Sequence, residues 1–108
     1  MGVVVEVDSS RTNASSVPSY SRDGDAGLDL RSAEDLVVPS GGTVMVRTGF
    51  FGSVPSGFAG LILSRSGLAS RGVFVTNGPG LVDSNFRGEW CVLLTNLSGE
   101  VFRVGVGD

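Results

Sequence analysis

Gly72-Val73-Phe74-Val75-Thr76-Asn77-Gly78-Pro79-Gly80-Leu81-Val82 is the stretch on which the fold turns. Its β-branched and aromatic residues over 72–76 favour an extended strand. Asn-Gly-Pro-Gly then supplies backbone conformations that glycine and proline adopt most cheaply, so the chain must turn. Leu81-Val82 leads it back. The spacing predicts a hairpin with its tip at 77–80.

The same grammar recurs on both sides. Upstream, 3–7 is a β-branched run, 8–21 is a Ser/Thr/Asn-rich loop with Pro18, 22–25 is a turn, and 28–30 is extended. Residues 36–39 end a strand and 39–42 turn the chain. Residues 43–48 alternate, with Val44 and Val46 on one face and Met45 and Arg47 on the other. Residues 50–54 and 58–63 flank a turn at 55–57, and 68–70 can form one helical turn. Downstream, 89–97 and 101–106 are the last two strands, joined through 96–99. No long segment carries helical apolar spacing. About eight or nine short strands between scattered glycines predict one all-β domain over 1–108, a sandwich, jelly roll or barrel.

Composition narrows the chemistry. A chain of 108 residues has room for one domain, and 41% hydrophobic against 18% charged residues suits a packed core rather than disorder. Apolar runs such as 90–94 are far too short to cross a bilayer, so no membrane partner is expected. No secretory leader pattern opens the chain. The cytosol is the default compartment, and a viral or phage product acting in a host cell fits the same reading. The net charge of −3 argues against a nucleic-acid binder, which needs a basic face. It leaves room for a small anionic ligand held by a few local donors. The chain contains no histidine, which removes His-assisted triads and the usual zinc sites. Cys91 is the only cysteine and, inside 90–94, reads as a buried small hydrophobe rather than a nucleophile. Hydrolysis in such a chain relies on carboxylates, backbone donors and a hard cation such as Mg²⁺.

Three segments carry candidate chemistry. Asp25-Ala26-Gly27-Leu28-Asp29-Leu30 sets Asp29 between apolar residues; by itself Asp29 reads first as a solvated turn residue. Ser64-Arg65-Ser66-Gly67-Leu68-Ala69 follows a strand, where free N–H groups and the Arg65 fork suit a phosphate, although an ordinary capped turn explains it as well. The stretch from Asn77 to Glu89 combines a hairpin tip, whose main chain can read the edge of a flat base, with Asp83. That carboxylate is placed to orient a water at a rim of limited hydration. The plain alternative pairs Asp83 with Arg87 on the hairpin surface.

Taken together, these segments resemble the trimeric dUTPase family. Residues 26–30 match its A-G-x-D-L motif, 65–69 its R-S-G-[LM]-A motif, and 80–89 its G-x-[IV]-D-x-x-Y-R-G-E motif at all but one fixed position. Residues 54–60 resemble its P-x-G-[YF]-x-G stretch, and the likeness runs from about Val3 to Asp108. The resemblance implies a jelly-roll-like β-barrel and a homotrimer with sites between subunits. It implies hydrolysis of dUTP to dUMP and pyrophosphate with Mg²⁺ as cofactor. By position, Asp83 would orient the water that attacks the α-phosphorus and contact the sugar. Arg65, Ser66 and Gly67 would hold phosphates, and Asp29 would support the hydrated Mg²⁺ complex. Asn77, Gly80, Val82 and Phe86 would bind uracil and deoxyribose, largely through the main chain.

The sequence departs from that pattern in places. Phe86 stands where the family usually has Tyr; the ring that packs under deoxyribose is kept and its hydroxyl lost. Ser64 replaces a common Pro, a change expected to matter little. Gly107-Asp108 resembles the start of a fourth motif, G-D-R-[IV]-A-Q, so a natural chain that continues through that motif and a fifth, glycine-rich arm is expected, with low activity from residues 1–108 alone. A dUTPase-like binding or regulatory domain without turnover is the alternative. The related dCTP deaminases carry a catalytic Glu where this sequence has Leu93, which cannot transfer a proton.

Overall fold

The computed structural model describes residues 4–108. Among the described residues nine short strands carry the fold: β1 (Glu6–Val7), β2 (Leu36–Val38), β3 (Thr43–Arg47), β4 (Gly52–Ser53), β5 (Gly60–Ile62), β6 (Val73–Val75), β7 (Gly80–Val82), β8 (Cys91–Asn96) and β9 (Phe102–Val104). One helical turn, α1 (Ser66–Ala69), and a 3-10 turn at Ala14–Ser16 complete it. The strands pair antiparallel as β1-β4, β2-β9, β3-β8-β6 and β5-β7. This is the all-β architecture that the turn spacing predicted, and it accords with the jelly-roll-like fold that the resemblance implies. No helix among the described residues is long and apolar enough to cross a membrane.

The alternating pattern decides which side chains face inward. Val38, Val46, Val73, Val75, Val82 and Val104 are buried, one or two from each longer ladder, so small sheets share a single core. On β3, Val46 is buried and Val44 half-buried while Met45 and Arg47 are exposed, as the period-2 reading required. Phe50 closes the core, and Trp90 meets it edge-on at a centroid distance of 5.0 Å. The Trp90 indole N–H donates to the Gly52 carbonyl at 3.2 Å. A side chain at Gly52 would strike the Phe50 ring and the Glu6 carbonyl, so glycine here lets β1 and β4 approach.

Several sequence expectations are corrected. The run 50–54 is strand only over Gly52–Ser53, because its partner β1 is two residues long. Of 3–7, the strand occupies Glu6–Val7, and residue 3 lies outside the described residues. The helical turn starts earlier than 68–70, at Ser66. Cys91 is half-buried on β8, not buried; burial, and then the negative Glu89, push its thiol up from the usual range. The largest correction concerns 72–82. β6 and β7 do not form a hairpin ladder: β6 pairs with β8, and β7 pairs with β5. The segment 76–79, with its cis Gly78–Pro79 peptide, carries the chain from one sheet to another.

Candidate active site

The first candidate segment is held by its own loop. The Asp29 N–H donates to the Ser19 carbonyl at 2.9 Å, and the Ser21 hydroxyl donates to Oδ2 of Asp29. That hydroxyl, and then the positive Arg65 and Arg31, hold the Asp29 carboxyl below its ordinary value against a smaller opposing effect of burial. Asp29 is therefore an ionised, oriented carboxylate at neutral pH.

The second segment meets the first. Arg65 leaves β5 in an extended conformation, and its Nη2 lies 3.8 Å from Asp29 Oδ1 while donating to the Leu30 carbonyl at 2.9 Å. One face of the guanidinium is thus anchored and the remaining N–H groups stay exposed. Ser66 and Gly67 open α1, where first-turn N–H groups lack helical partners. Gly67 has an ordinary φ and no atom within 4 Å of where a Cβ would stand. The chain's own packing does not require glycine there; the space is left for something else to approach.

The third segment is built around two glycines. The Gly78 N–H donates to the Val75 carbonyl at 3.1 Å, and a Cβ on Gly78 would lie 3.1 Å from that same oxygen. The Asn77 amide folds across Gly80, 3.4 Å from where its Cβ would be. Gly80 and Val82 are buried, whereas Asn77 is exposed at the turn. Asp83 follows as an exposed carboxylate, not at a rim of limited hydration, because nothing in a single chain covers it. Its carbonyl accepts the Phe86 N–H at 3.0 Å, closing the turn that carries the aromatic ring. Phe86 is 39% exposed and its ring lies over Gly88, where a Cβ would sit 2.8 Å from Cζ. The surface pair Asp83–Arg87 does not form; Arg87 donates instead to the carbonyls of Ser84 and Phe86.

The structure joins some of these residues and separates others. Asp29 and Arg65 are in contact. Among the described residues no hydrogen bond or ion pair links Asp83 to Arg65, Ser66 or Asp29. The register explains why. β5 and β7 pair Gly60 with Val82 and Ile62 with Gly80, so Asp83 lies beyond one end of the ladder and Arg65 beyond the other. Six positions of extended chain separate them, roughly 15–20 Å.

Other contributors were not singled out in the sequence. Arg11 donates to the Arg87 carbonyl at 2.9 Å, pairs with Asp8 at 2.7 Å and stacks over Phe51, tying the Phe86 turn to the N-terminal loop. Glu89 accepts from the Gly49 N–H at 2.8 Å and from Arg47 Nε at 3.1 Å, fixing the far side of that turn. Arg11 has no signal in sequence, and Glu89, though it closes the 80–89 motif, gives no hint there of its partners, since both act across long separations. Ser64 also proves more than an indifferent replacement: its hydroxyl accepts the Val75 N–H at 2.9 Å. Among the described residues no cluster of three or more His, Cys, Asp or Glu could hold a metal ion.

Comparison with known proteins bears on the family and the fold. The family model described as dUTPase matches residues 13–108. The deoxyuridine 5'-triphosphate nucleotidohydrolase of Mycobacterium marinum is 52% identical over 82 residues, covering 75% of this chain and 53% of that protein. The Rhizobium etli protein of the same name is 46% identical over 96 residues, covering 84% and 62%. The chain therefore spans between half and two thirds of these relatives' length. Among solved structures, the dUTPase of Staphylococcus aureus phage phi11 superposes with a TM-score of 0.81 at 21% identity, covering 100% of this chain and 84% of that one, a likeness of fold.

Proposed function

The chain belongs to the dUTPase family, and from that membership we infer that it hydrolyses dUTP to dUMP and pyrophosphate in a site shared between copies of the chain. The observation that carries this reading is the separation of Asp83 from Arg65 along the β5–β7 ladder. A nucleoside triphosphate that touches both needs Asp83 from one copy and the Asp29–Arg65 pair from another. A homotrimer meets that need. Leu61 and Leu81 stand opposite each other in register and are both largely exposed, an apolar face suited to a subunit contact.

In this site the main chain of 77–82 reads the uracil edge, and Phe86 packs against the deoxyribose. Arg65, Ser66 and Gly67 hold the phosphates with one fixed fork and free N–H groups. Asp83 orients a water toward the α-phosphorus and takes its proton, and pyrophosphate leaves in line. A carboxylate exposed in one chain becomes an effective base once a second copy and the ligand exclude bulk water.

The residues fit Mg²⁺ carried by the substrate rather than caged by protein. Asp29 is an ionised oxygen donor, and among the described residues no multi-carboxylate cluster surrounds it. When bound, the ion would neutralise phosphate charge; Asp29 would orient its water shell. The cytosol, where dUTP and Mg²⁺ are both present, fits this activity.

The direct test is pyrophosphate release from dUTP with Mg²⁺, using the longest chain the reading frame encodes, with sedimentation velocity in parallel. Turnover by a trimer supports the reading. Tight binding of dUMP without turnover would instead favour a nucleotide-binding domain.

A further inference from the structure

We propose that Ser64 is a positioning residue whose hydroxyl locks the phosphate segment 65–67 to the base-reading turn 76–80. The proposal rests on the nucleotide reading above and extends it to a residue outside the expected ligand contacts. β6 is an edge strand of the β3-β8-β6 sheet. The Thr76 N–H donates to Leu93 on β8 at 2.9 Å, so the N–H of the preceding residue, Val75, points away from the sheet. An edge N–H of this kind has no ladder partner. Ser64 Oγ supplies one at 2.9 Å. The Val75 carbonyl takes the Gly78 N–H, so both outward polar groups of Val75 are consumed at one junction. Ser64 Oγ lies 3.9 Å from where a Gly78 Cβ would stand, directly behind the turn.

Alternation along extended chain then gives neighbouring residues opposite duties. Ser64 faces the base-reading turn, and Arg65 faces Asp29 and Leu30. Residues 66 and 67 follow at once. Removing the hydroxyl strands the Val75 N–H and frees the phosphate segment and the turn to move independently. Ligand affinity falls, while Asp83, at the far end of the β5–β7 ladder, keeps its geometry.

The test compares wild type, Ser64→Ala and Ser64→Thr. Ser64→Ala is expected to raise KM for dUTP, and the Kd for dUMP by calorimetry, about tenfold, with kcat within about twofold. Ser64→Thr, which retains the hydroxyl at an exposed position, restores both. An unchanged KM in the alanine variant overturns the proposal, as does a fall in kcat alone or a threonine variant as impaired as the alanine. If wild type neither binds dUMP nor hydrolyses dUTP, the functional reading fails separately. Amide exchange then decides about Ser64: faster exchange at Val75 and Gly78 in Ser64→Ala, but not in Ser64→Thr, upholds the lock, and unchanged exchange removes it.

Discussion

Arg65 Nη2 lies 3.8 Å from Asp29 Oδ1, joining two segments thirty-odd positions apart in a chain whose first ordered strand pairs are only a few residues long. Both side chains are partly exposed, so the pair itself adds little stability. Its value is orientation: the same guanidinium nitrogen is fixed on the Leu30 carbonyl, and the carboxylate is fixed by Ser21. A cation and an anion are thereby held side by side where a phosphate chain and its counter-ion would lie.

The linkage of Asp29 to pH follows from its lowered carboxyl. A group whose folded value lies below its unfolded one contributes stability above the unfolded value, near pH 4, and loses it as pH falls through the folded value. The difference in urea midpoint between wild type and Asp29→Asn should be constant from about pH 7 to 5 and shrink below about pH 4. A difference that grows on acidification would contradict the sign.

Asp83→Asn removes the only carboxylate in the third segment's turn without changing its shape. It should lower kcat for dUTP by about 10²–10⁴-fold, with thermal unfolding unchanged, since Asp83 is exposed and its side chain makes no ion pair. Steady-state pyrophosphate release checks this; a variant at full rate would end the water-activation role.

Gly88 lies under the Phe86 ring, and a methyl there would stand 2.8 Å from Cζ. The ring can swing, so Gly88→Ala should cost little stability yet displace the surface proposed to pack against deoxyribose. The ratio of kcat/KM for dUTP over UTP should fall about tenfold, as in Phe86→Ala, while Phe86→Tyr keeps it. Equal ratios in all four proteins would remove Phe86 from sugar selection.

Asn96 is fully buried with every polar atom of its side chain used. It donates to the carbonyls of Val38 and Glu100 at 3.1 and 2.7 Å and accepts from the N–H and hydroxyl of Ser98 at 2.9 and 2.7 Å. Asn96→Ala should lower unfolding free energy by about 2–4 kcal/mol, read from urea titration, because partners on β2 and in the connection between β8 and β9 lose their bonds at once.

Much of the fold was legible because its signals are local. β-Branched runs and glycine turns mark the strands, and alternation on β3 assigns Val46 inward and Met45 outward correctly. Strand partners were not legible: Asn-Gly-Pro-Gly looks like a hairpin tip, and nothing in 72–82 says that β8 and β5 compete for its two arms. The third segment's turn was located, and so were Asp29 and Arg65, but not their contact. Arg11 escaped altogether, and the partners of Glu89 and Ser64 escaped, because each acts on a main-chain group distant in sequence, which leaves no spacing to read.

The sheet-crossing at 76–79 also governs when a binding surface exists during folding. An isolated hairpin would form it locally and early. Here its two ends are set by different ladders, while β2 must find β9, pairing Leu36 with Val104 across most of the chain. Such distant pairings form slowly and late. The turn proposed to read the base therefore matures only with the whole domain, and on that reading partly folded chains have no affinity to lose. Nucleotide would bind the native state alone and raise its melting temperature by mass action, so a thermal shift with dUMP reports complete assembly of both sheets.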